Sequence, residues 1–231
     1  MDHHYDHRRH SPFIQSPMKT KTVRAYHFTG EKLRCGSPLP AKGVWLKHKG
    51  AIELCESGLH ASIHPSDALK YAPGNLLHLV EVRGDIQPYD HDHNKIVARE
   101  RRIIKSIDAE KLLRDFARWN ARQVIHLWEN APKVVLDYLK TEDESLMVAA
   151  WSEAMARAEE GYAVWAVGLA ASNADAIAEA RGATKFAAWA AACDPAKATE
   201  RAMAWDSAHD AYIKKARIKF NQMVKKAFKL A

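Results

Sequence analysis

The chain has 231 residues, a formal net charge of +7 and three cysteines. Its length accommodates one large domain or two small ones, and no apolar run approaches the roughly 20 residues that span a bilayer. Cys35, Cys55 and Cys193 are odd in number and widely spaced, which argues against a disulfide framework or a zinc site and favours a reduced, cytoplasmic setting. The charge gives a mild bias towards anionic partners.

Residues 1–18 are polar and rich in histidine, and they lack the apolar segment of a secretory signal. They hold too few apolar side chains to build a core, so we predict a disordered leader. The imidazoles of this leader are also suitable metal ligands, but we predict a polar arm that binds no metal. They are His3, His4, His7 and His10.

Residues 19–107 are predicted to form a small antiparallel or mixed sheet with one short helix. Between turns rich in glycine and proline, strand-like patterns occur at 22–28, 76–82, 95–98 and 102–107. The helix is expected to begin at Pro65, because proline suits a first helical turn and favours an extended conformation at His64. Gly58 lies just before, where glycine can relieve a strained backbone. A strand that is followed by an exposed polar segment and then by a helix is typical of a pocket wall.

From residue 108 to residue 231 the apolar period is that of helices. Asp108 is expected to cap the first of them, and Thr141 with Glu144 is expected to form a capping box. The predicted fold class is therefore α+β, with a small sheet domain followed by a helical array.

Alanine makes up about a third of residues 149–231. This composition predicts closely packed helices in which the tryptophans fill the core between small side chains. Gly161, Gly182 and Pro195 are the predicted breaks between helices.

Two groups of basic residues are candidates for binding a host protein or nucleic acid. Arg99, Arg101 and Arg102 form either a phosphate-binding patch or the solvated face of a strand. The second group lies on the last predicted helix, 213–230, which is amphipathic and contains no acid. Its members are Lys214, Lys215, Arg217, Lys219, Lys225 and Lys226.

The segment Cys55-Glu56-Ser57-Gly58-Leu59-His60-Ala61-Ser62 resembles an uncharacterised family of phage and prophage proteins that shares a C-E-x-G-[FL]-H core. Pro65, Asp67 and Tyr71 then follow the family pattern, and so do the segments at 80–84 and 95–98. The resemblance covers roughly residues 22–107. It implies a phage-borne accessory protein, and the family supplies no established reaction.

The order of several short motifs also resembles the ADP-ribosyltransferase fold. The likeness is carried by His27-Phe28-Thr29, the strand Gly58 to Ser62, Tyr71 at the end of a helix, and Glu100 at the start of a later strand. Phe28 departs from the pattern, which has a small glycine at that position. This is an analogy at the level of fold.

The transferase resemblance implies NAD as the cofactor. His27, Thr29, Gly58, Ser62 and Tyr71 would then line the cofactor site, with His27 on a ribose hydroxyl. The implied catalytic residues are His27, His60 and Glu100, of which the carboxylate would stabilise the cationic sugar as the glycosidic bond breaks.

The same residues also have structural interpretations. Three roles remain open for His60: ligand binding, proton transfer, or a structural hydrogen bond to a loop carbonyl at the end of the strand. Cys55 beside Glu56 suggests a nucleophile, although a small buried hydrophobe is the prediction. The histidines and aspartates at 90–93 have metal-ligand chemistry, and a solvated loop is predicted there.

Two functions remain open at this point. The first is a non-catalytic binding module that engages a host protein or nucleic acid. The second is an NAD-dependent, transferase-like enzyme. The helical half contains no G-x-S-x-G, G-x-x-x-x-G-K-[ST] or G-x-G-x-x-G motif. We favour the binding module, because binding demands fewer coincidences.

Overall fold

Two antiparallel sheets lie against each other in the first half of the chain. A computed structural model describes residues 21–53, 55–88, 95–172, 175–194 and 203–230. The larger sheet has the order β1 (Val23–Thr29), β4 (Leu76–Arg83), β7 (Glu100–Asp108) and β2 (Trp45–Lys47). The smaller sheet has the order β3 (Leu59–Ala61), β6 (Ile96–Ala98) and β5 (Gln87–Pro88).

Alternation along the strands gives the larger sheet two different faces. One face carries apolar side chains that pack against the smaller sheet, among them Val80, Val82 and Ile103. The opposite face carries Tyr26, Phe28, Leu77 and Leu79, which belong to the core shared with the helices. The larger sheet is therefore the middle layer of three.

The helices of the described ranges form the third layer. They are α1 (Pro65–Leu69), α2 (Glu110–Val124), α3 (Lys133–Thr141), α4 (Met147–Ala156), α5 (Tyr162–Ala170), α6 (Ala176–Ala192) and α7 (Met203–Phe228). None of these helices is long and apolar enough to cross a membrane.

The last helix closes the core over the larger sheet. Its buried side chains recur every fourth residue, so they form one stripe along the helix. The stripe consists of Tyr212, Ala216, Phe220, Val224 and Phe228. The ring of Phe228 lies 6.4 Å from that of Tyr26 on β1.

The structure confirms the predicted α+β class and several local predictions. Pro65 occupies the first turn of α1 after an extended His64, with φ −114° and ψ 142°. Asp108 accepts a hydrogen bond from the Glu110 amide at the start of α2. The predicted break at Gly161 is also confirmed, since α5 begins directly after it.

Other local predictions are wrong. The cap near α4 is Asp143, whose carboxylate accepts from the Ser145 amide, and Thr141 bonds back to its own helix instead. Gly182 lies inside α6, where a β-carbon would stand 2.6 Å from a methyl group of Leu169. Glycine at this position therefore allows α5 and α6 to approach closely.

The tryptophans of the helical half do not all lie in the core. Trp128 is buried, whereas Trp151 and Trp165 are exposed, on α4 and α5. Pro195, the side chain of Trp205, the leader at 1–18 and the turn at 90–93 lie outside the residues that the structure describes.

Candidate functional site

Polar side chains occupy one end of the sheet face that the smaller sheet covers. His27 on β1 lies directly opposite His78 on β4 in the strand register. Thr29 is two residues further along the same face of β1, and Arg101 reaches this face from β7. His78, Thr29 and Arg101 are all buried, with exposed fractions of 1%, 3% and 7%.

A directed chain of hydrogen bonds fixes His78. Thr29 donates its hydroxyl hydrogen to the Gly30 carbonyl at 2.8 Å, so its oxygen accepts from Nε2 of His78 at 2.8 Å. With the proton on Nε2, the Nδ1 atom of the neutral ring accepts from the Ser106 hydroxyl at 2.7 Å. Both ring nitrogens of His78 are therefore engaged.

Arg101 is a buried cation without a carboxylate partner among the described residues. One Nη atom donates to the carbonyl of His60 on β3, which ties the two sheets together. Burial lowers the pKa of Arg101 to about 10, so the guanidinium stays charged at neutral pH. A guanidinium has five N–H donors, and this bond uses one of them.

The three histidines near Arg101 are neutral at physiological pH. Burial and, to a smaller extent, the charge of Arg101 lower the pKa of His78 to about 4. Burial, Lys95 and Arg101 lower the pKa of His60 to about 4. Burial, followed by Arg101, holds the pKa of His27 well below its usual value. The site therefore combines one cation with three uncharged imidazoles.

A narrow cavity opens beside this cluster. Its polar wall consists of His27, Thr29, His78, Arg101 and Arg102, and its apolar wall includes residues of the loop between β1 and β2. The cavity measures about 10 Å³, which is about the space that one water molecule needs. Whatever enters it is therefore small, or is the end group of a larger ligand.

His60 connects this cluster to the outer surface. Its Nε2 accepts from the Cys55 amide at 3.0 Å, so the proton of the neutral ring is on Nδ1. The exposed thiol of Cys55 lies 3.4 Å from the ammonium of Lys95, which stands 4.7 Å from the ring centre of Tyr71. The prediction that Cys55 is buried is therefore wrong.

Glu100 is not brought to His27 and His60. It points to the opposite face of the larger sheet, where Arg83 bonds it at 2.6 Å and Lys47 lies 3.5 Å away. Arg83 is five residues beyond His78 on β4, a distance of about 16 Å along the strand. The Arg83 hydrogen bond lowers the pKa of Glu100, so the carboxylate stays ionised in this ion pair.

The three arginines of the predicted patch contact different parts of the structure. Arg99 bonds Asp85 and the carbonyls of His48 and Gly50, so it fixes a loop. Arg102 bonds Glu81, and its guanidinium stands 4.6 Å from the ring centre of Trp45. Arg101 and Arg102 both line the cavity, and Arg99 does not.

Two further predicted site residues, Gly58 and Ser62, have roles in the backbone structure. Gly58 has a φ of 118°, and a β-carbon there would stand 2.4 Å from a methyl group of Val97. Ser62 exchanges two main-chain hydrogen bonds with Tyr26, at 2.7 and 2.9 Å, which joins β1 to the end of β3. Tyr71 is 52% exposed and does not line the cavity.

The basic residues of α7 lie mostly on its outer side. Lys214, Lys215, Lys225 and Lys226 are exposed, and Lys219 is half-buried. Arg217 differs from them, because its guanidinium bonds the buried carboxylate of Asp67 at 2.7 Å.

His78 and Ser106 were missed from the sequence. A signal was present, because His78 interrupts the apolar strand Leu76–Arg83 at a position where the alternation demands a buried side chain. A histidine at a buried position needs hydrogen-bond partners, and here Thr29 and Ser106 supply them.

Residues 23–115 match a domain family described as a domain of unknown function, DUF7666. The matched segment contains all seven strands, α1 and the beginning of α2. No curated protein and no solved structure matches the chain. This part of the chain is thus similar to an uncharacterised family.

Proposed function

We propose that the chain is a binding module that recognises single-stranded nucleic acid through the outer side of α7. One observation carries the proposal: five lysines on this side, and a sixth directly after the helix, form no ion pair with a carboxylate of the described residues. They are Lys214, Lys215, Lys219, Lys225, Lys226 and Lys229.

The position of the lysines suits a phosphate backbone. The buried stripe from Tyr212 to Phe228 holds α7 in one orientation, so the basic side always faces outward. Residues 214 to 229 span about 22 Å at the helical rise of 1.5 Å per residue. That length allows several of the lysines to contact phosphates of one strand at the same time.

An aromatic ring adjoins the lysines. Trp119 on α2 is half-buried, and the ammonium groups of Lys215 and Lys219 lie 5.8 and 5.9 Å from its ring centre. Basic groups beside a partly exposed ring favour single strands, because unpaired bases stack on aromatic side chains while phosphates contact the cations. An acidic protein partner would use the lysines without using Trp119.

The transferase alternative has less support. It requires Glu100 and His27 to act on one NAD molecule, and these two side chains lie on opposite faces of the larger sheet. We also propose that the chain is of phage or prophage origin, that it has a target in the host, and that it is located in the cytoplasm. They rest on the C-E-x-G-[FL]-H resemblance and on the cysteine pattern.

The test is the salt dependence of binding to a labelled single-stranded oligonucleotide of about 20 nucleotides, measured by fluorescence anisotropy. Each phosphate contact contributes about −0.7 to the slope of log K against log salt concentration. The variant Lys214→Gln/Lys215→Gln/Lys219→Gln is expected to lose about 2 from that slope. Trp119→Leu is expected to weaken binding while the slope stays the same.

A matched control removes three exposed lysines elsewhere, with the variant Lys111→Gln/Lys133→Gln/Lys140→Gln on α2 and α3. It makes the same change in net charge and is expected to bind almost as wild type does. Equal losses in the two triple variants would mean that overall charge alone attracts the oligonucleotide. No binding by the wild-type chain, or binding that Trp119→Leu leaves unchanged, would contradict the proposal.

A further inference from the structure

The burial of Arg101 demands an explanation. Moving an unpaired ion out of water costs several kcal/mol even after the protein relaxes. Among the described residues, the guanidinium of Arg101 has one hydrogen-bond partner, the His60 carbonyl, and this bond offsets only part of the cost. A single carbonyl would be served equally well by a neutral donor, so the charge itself calls for a counter-ion.

The neighbours of Arg101 do not supply a negative charge. The ionisable groups that act on His27 are Arg101 on β7, His78 on β4 and His60 on β3, and Lys95 beside His60 is a further cation. None of these groups is acidic. Within the described part of the chain, the polar end of the cavity is therefore positive and without a counter-ion.

The donors that remain available point to one location. His78 and Thr29 are occupied by the hydrogen-bond chain between Ser106 and Gly30. The His27 ring makes no hydrogen bond with a described residue, and it lines the cavity together with Arg101. An incoming acceptor would therefore meet the guanidinium and one imidazole N–H.

We propose that this cavity binds the carboxylate group of a small organic acid, with Arg101 and His27 as its hydrogen-bond donors. A guanidinium matches the two oxygens of a carboxylate or a phosphate. The size of the cavity, about 10 Å³, favours the smaller and planar carboxylate. A short aliphatic remainder of the ligand would lie outside the cavity, next to the apolar residues Leu33, Pro40 and Leu46 that border it.

Binding of a carboxylate is coupled to protonation of the histidines. Arg101 is one of the causes that hold the pKa of His27, His60 and His78 below the usual value. An anion beside Arg101 cancels part of its field, so these pKa values rise when the ligand is bound, although burial still holds them below the usual value. By linkage, the ligand binds more tightly as the pH falls and the histidines take up protons.

The experiment titrates the full chain with propionate and, in a second arm, with inorganic phosphate. Calorimetry is run at about pH 7.5 and at about pH 5.5, on either side of the usual histidine pKa. We expect saturable binding of propionate that is severalfold tighter at the lower pH. NMR signals of the His27 and His60 rings are expected to shift towards the protonated form as propionate is added.

Variants separate this site from general charge effects. Arg101→Gln is expected to abolish propionate binding, whereas Arg24→Gln removes an equal charge from the face of β1 that turns away from the smaller sheet and is expected to retain it. His27→Gln, which leaves Arg101 in place, is expected to weaken binding severalfold. It also provides a test should Arg101→Gln fail to fold.

Three results would overturn the proposal. They are the absence of propionate binding at both pH values, equal binding by Arg101→Gln and Arg24→Gln, and unchanged binding by His27→Gln. Tighter binding of phosphate than of propionate, lost in Arg101→Gln, would overturn the choice of a carboxylate. The oligonucleotide experiment on α7 is independent, because its variants leave the cavity untouched.

Discussion

The guanidinium of Arg217 on α7 lies 2.7 Å from the carboxylate of Asp67 on α1, although 150 residues separate them in the chain. Asp67 is 1% exposed, and Lys70 is its other cationic neighbour, at 3.6 Å. A second bond joins the same two helices, from the Ser66 amide to the Asn221 side chain at 3.0 Å. The C-terminal helix is therefore attached to the segment that follows the C-E-x-G-[FL]-H motif.

Removing Arg217 is expected to destabilise the fold. Arg217→Ala leaves the buried Asp67 carboxylate with the exposed Lys70, 3.6 Å away, as its remaining cation. Loss of one partner of a fully buried pair costs about 3 to 5 kcal/mol, and we expect somewhat less here because Arg217 is partly exposed. The cost is read from urea unfolding monitored by circular dichroism. Asp67→Asn/Arg217→Ala is expected to recover part of the loss, because no buried charge remains.

Lys70→Ala is the control for the Asp67 contact. The Lys70 side chain is 57% exposed, so its removal is expected to change the free energy of unfolding by less than about 1 kcal/mol. If Arg217→Ala were as mild as Lys70→Ala, Asp67 would not depend on α7.

Acid is expected to destabilise the protein through its neutral histidines. The pKa of His78 is about 4 in the folded state and near 6.5 in the unfolded chain, so between these values the unfolded state binds more protons. Stability is then fully present above about pH 6.5 and is lost as the pH falls towards 4. His78 alone contributes roughly 2 to 3 kcal/mol to this loss.

The measurement is the free energy of unfolding at several pH values between about 4 and 7. His78→Gln cannot take up the proton, so its curve is expected to be flatter than that of the wild type. His126→Gln, at an exposed position, is the matched control and is expected to keep the slope. Parallel curves for His78→Gln and the wild type would contradict the assignment of a neutral, buried His78.

Three glycines separate backbone strain from steric contact. Gly58→Ala meets both, since φ is 118° and Val97 occupies the space. Gly36→Ala introduces backbone strain, because φ is 82°, but its new β-carbon has no atom within 4 Å. Gly30→Ala introduces neither strain nor a steric contact. We expect losses of more than about 2 kcal/mol, about 1 kcal/mol and close to none, in that order. Thermal unfolding gives the ranking, and any other order would show that the loop before β3 adjusts.

Glu100 gives a direct test of the transferase alternative. Glu100→Gln and Glu81→Gln each remove a carboxylate that bonds an arginine on the face of the larger sheet that turns away from the smaller sheet. We expect calorimetric titrations with NAD to be flat for both variants and for the wild type. NAD binding that only Glu100→Gln lost would support the transferase in place of the binding module.

Local sequence signals predicted the strands well because each strand had its own pattern and its own turn residues. The prediction for 22–28 corresponds to β1 (Val23–Thr29), and that for 76–82 corresponds to β4 (Leu76–Arg83). Pro65 and Gly58 act within their own segments, so their backbone roles were also accessible from the sequence. The division into domains at residue 108 remains a prediction.

The site was less accessible, because its geometry depends on pairing between distant strands. Arg101 and Arg102 are neighbours in the sequence, yet Arg101 bonds the His60 carbonyl on one side of the larger sheet and Arg102 bonds Glu81 on the other. The side of the strand that each residue takes follows from register, which no local pattern around 99–102 reveals. Gly182 was misread for a similar reason, since its role depends on Leu169 of another helix.

The position of Phe228 has a consequence for synthesis of the chain. Tyr26 and Phe28 emerge from the ribosome first, and the stripe of α7 that covers their side of the sheet emerges about 200 residues later. The segment that matches the domain family therefore keeps an uncovered apolar surface during most of translation. Chaperones have this interval in which to bind it, and a ribosome that stalls before α7 leaves a product suited to aggregation or degradation.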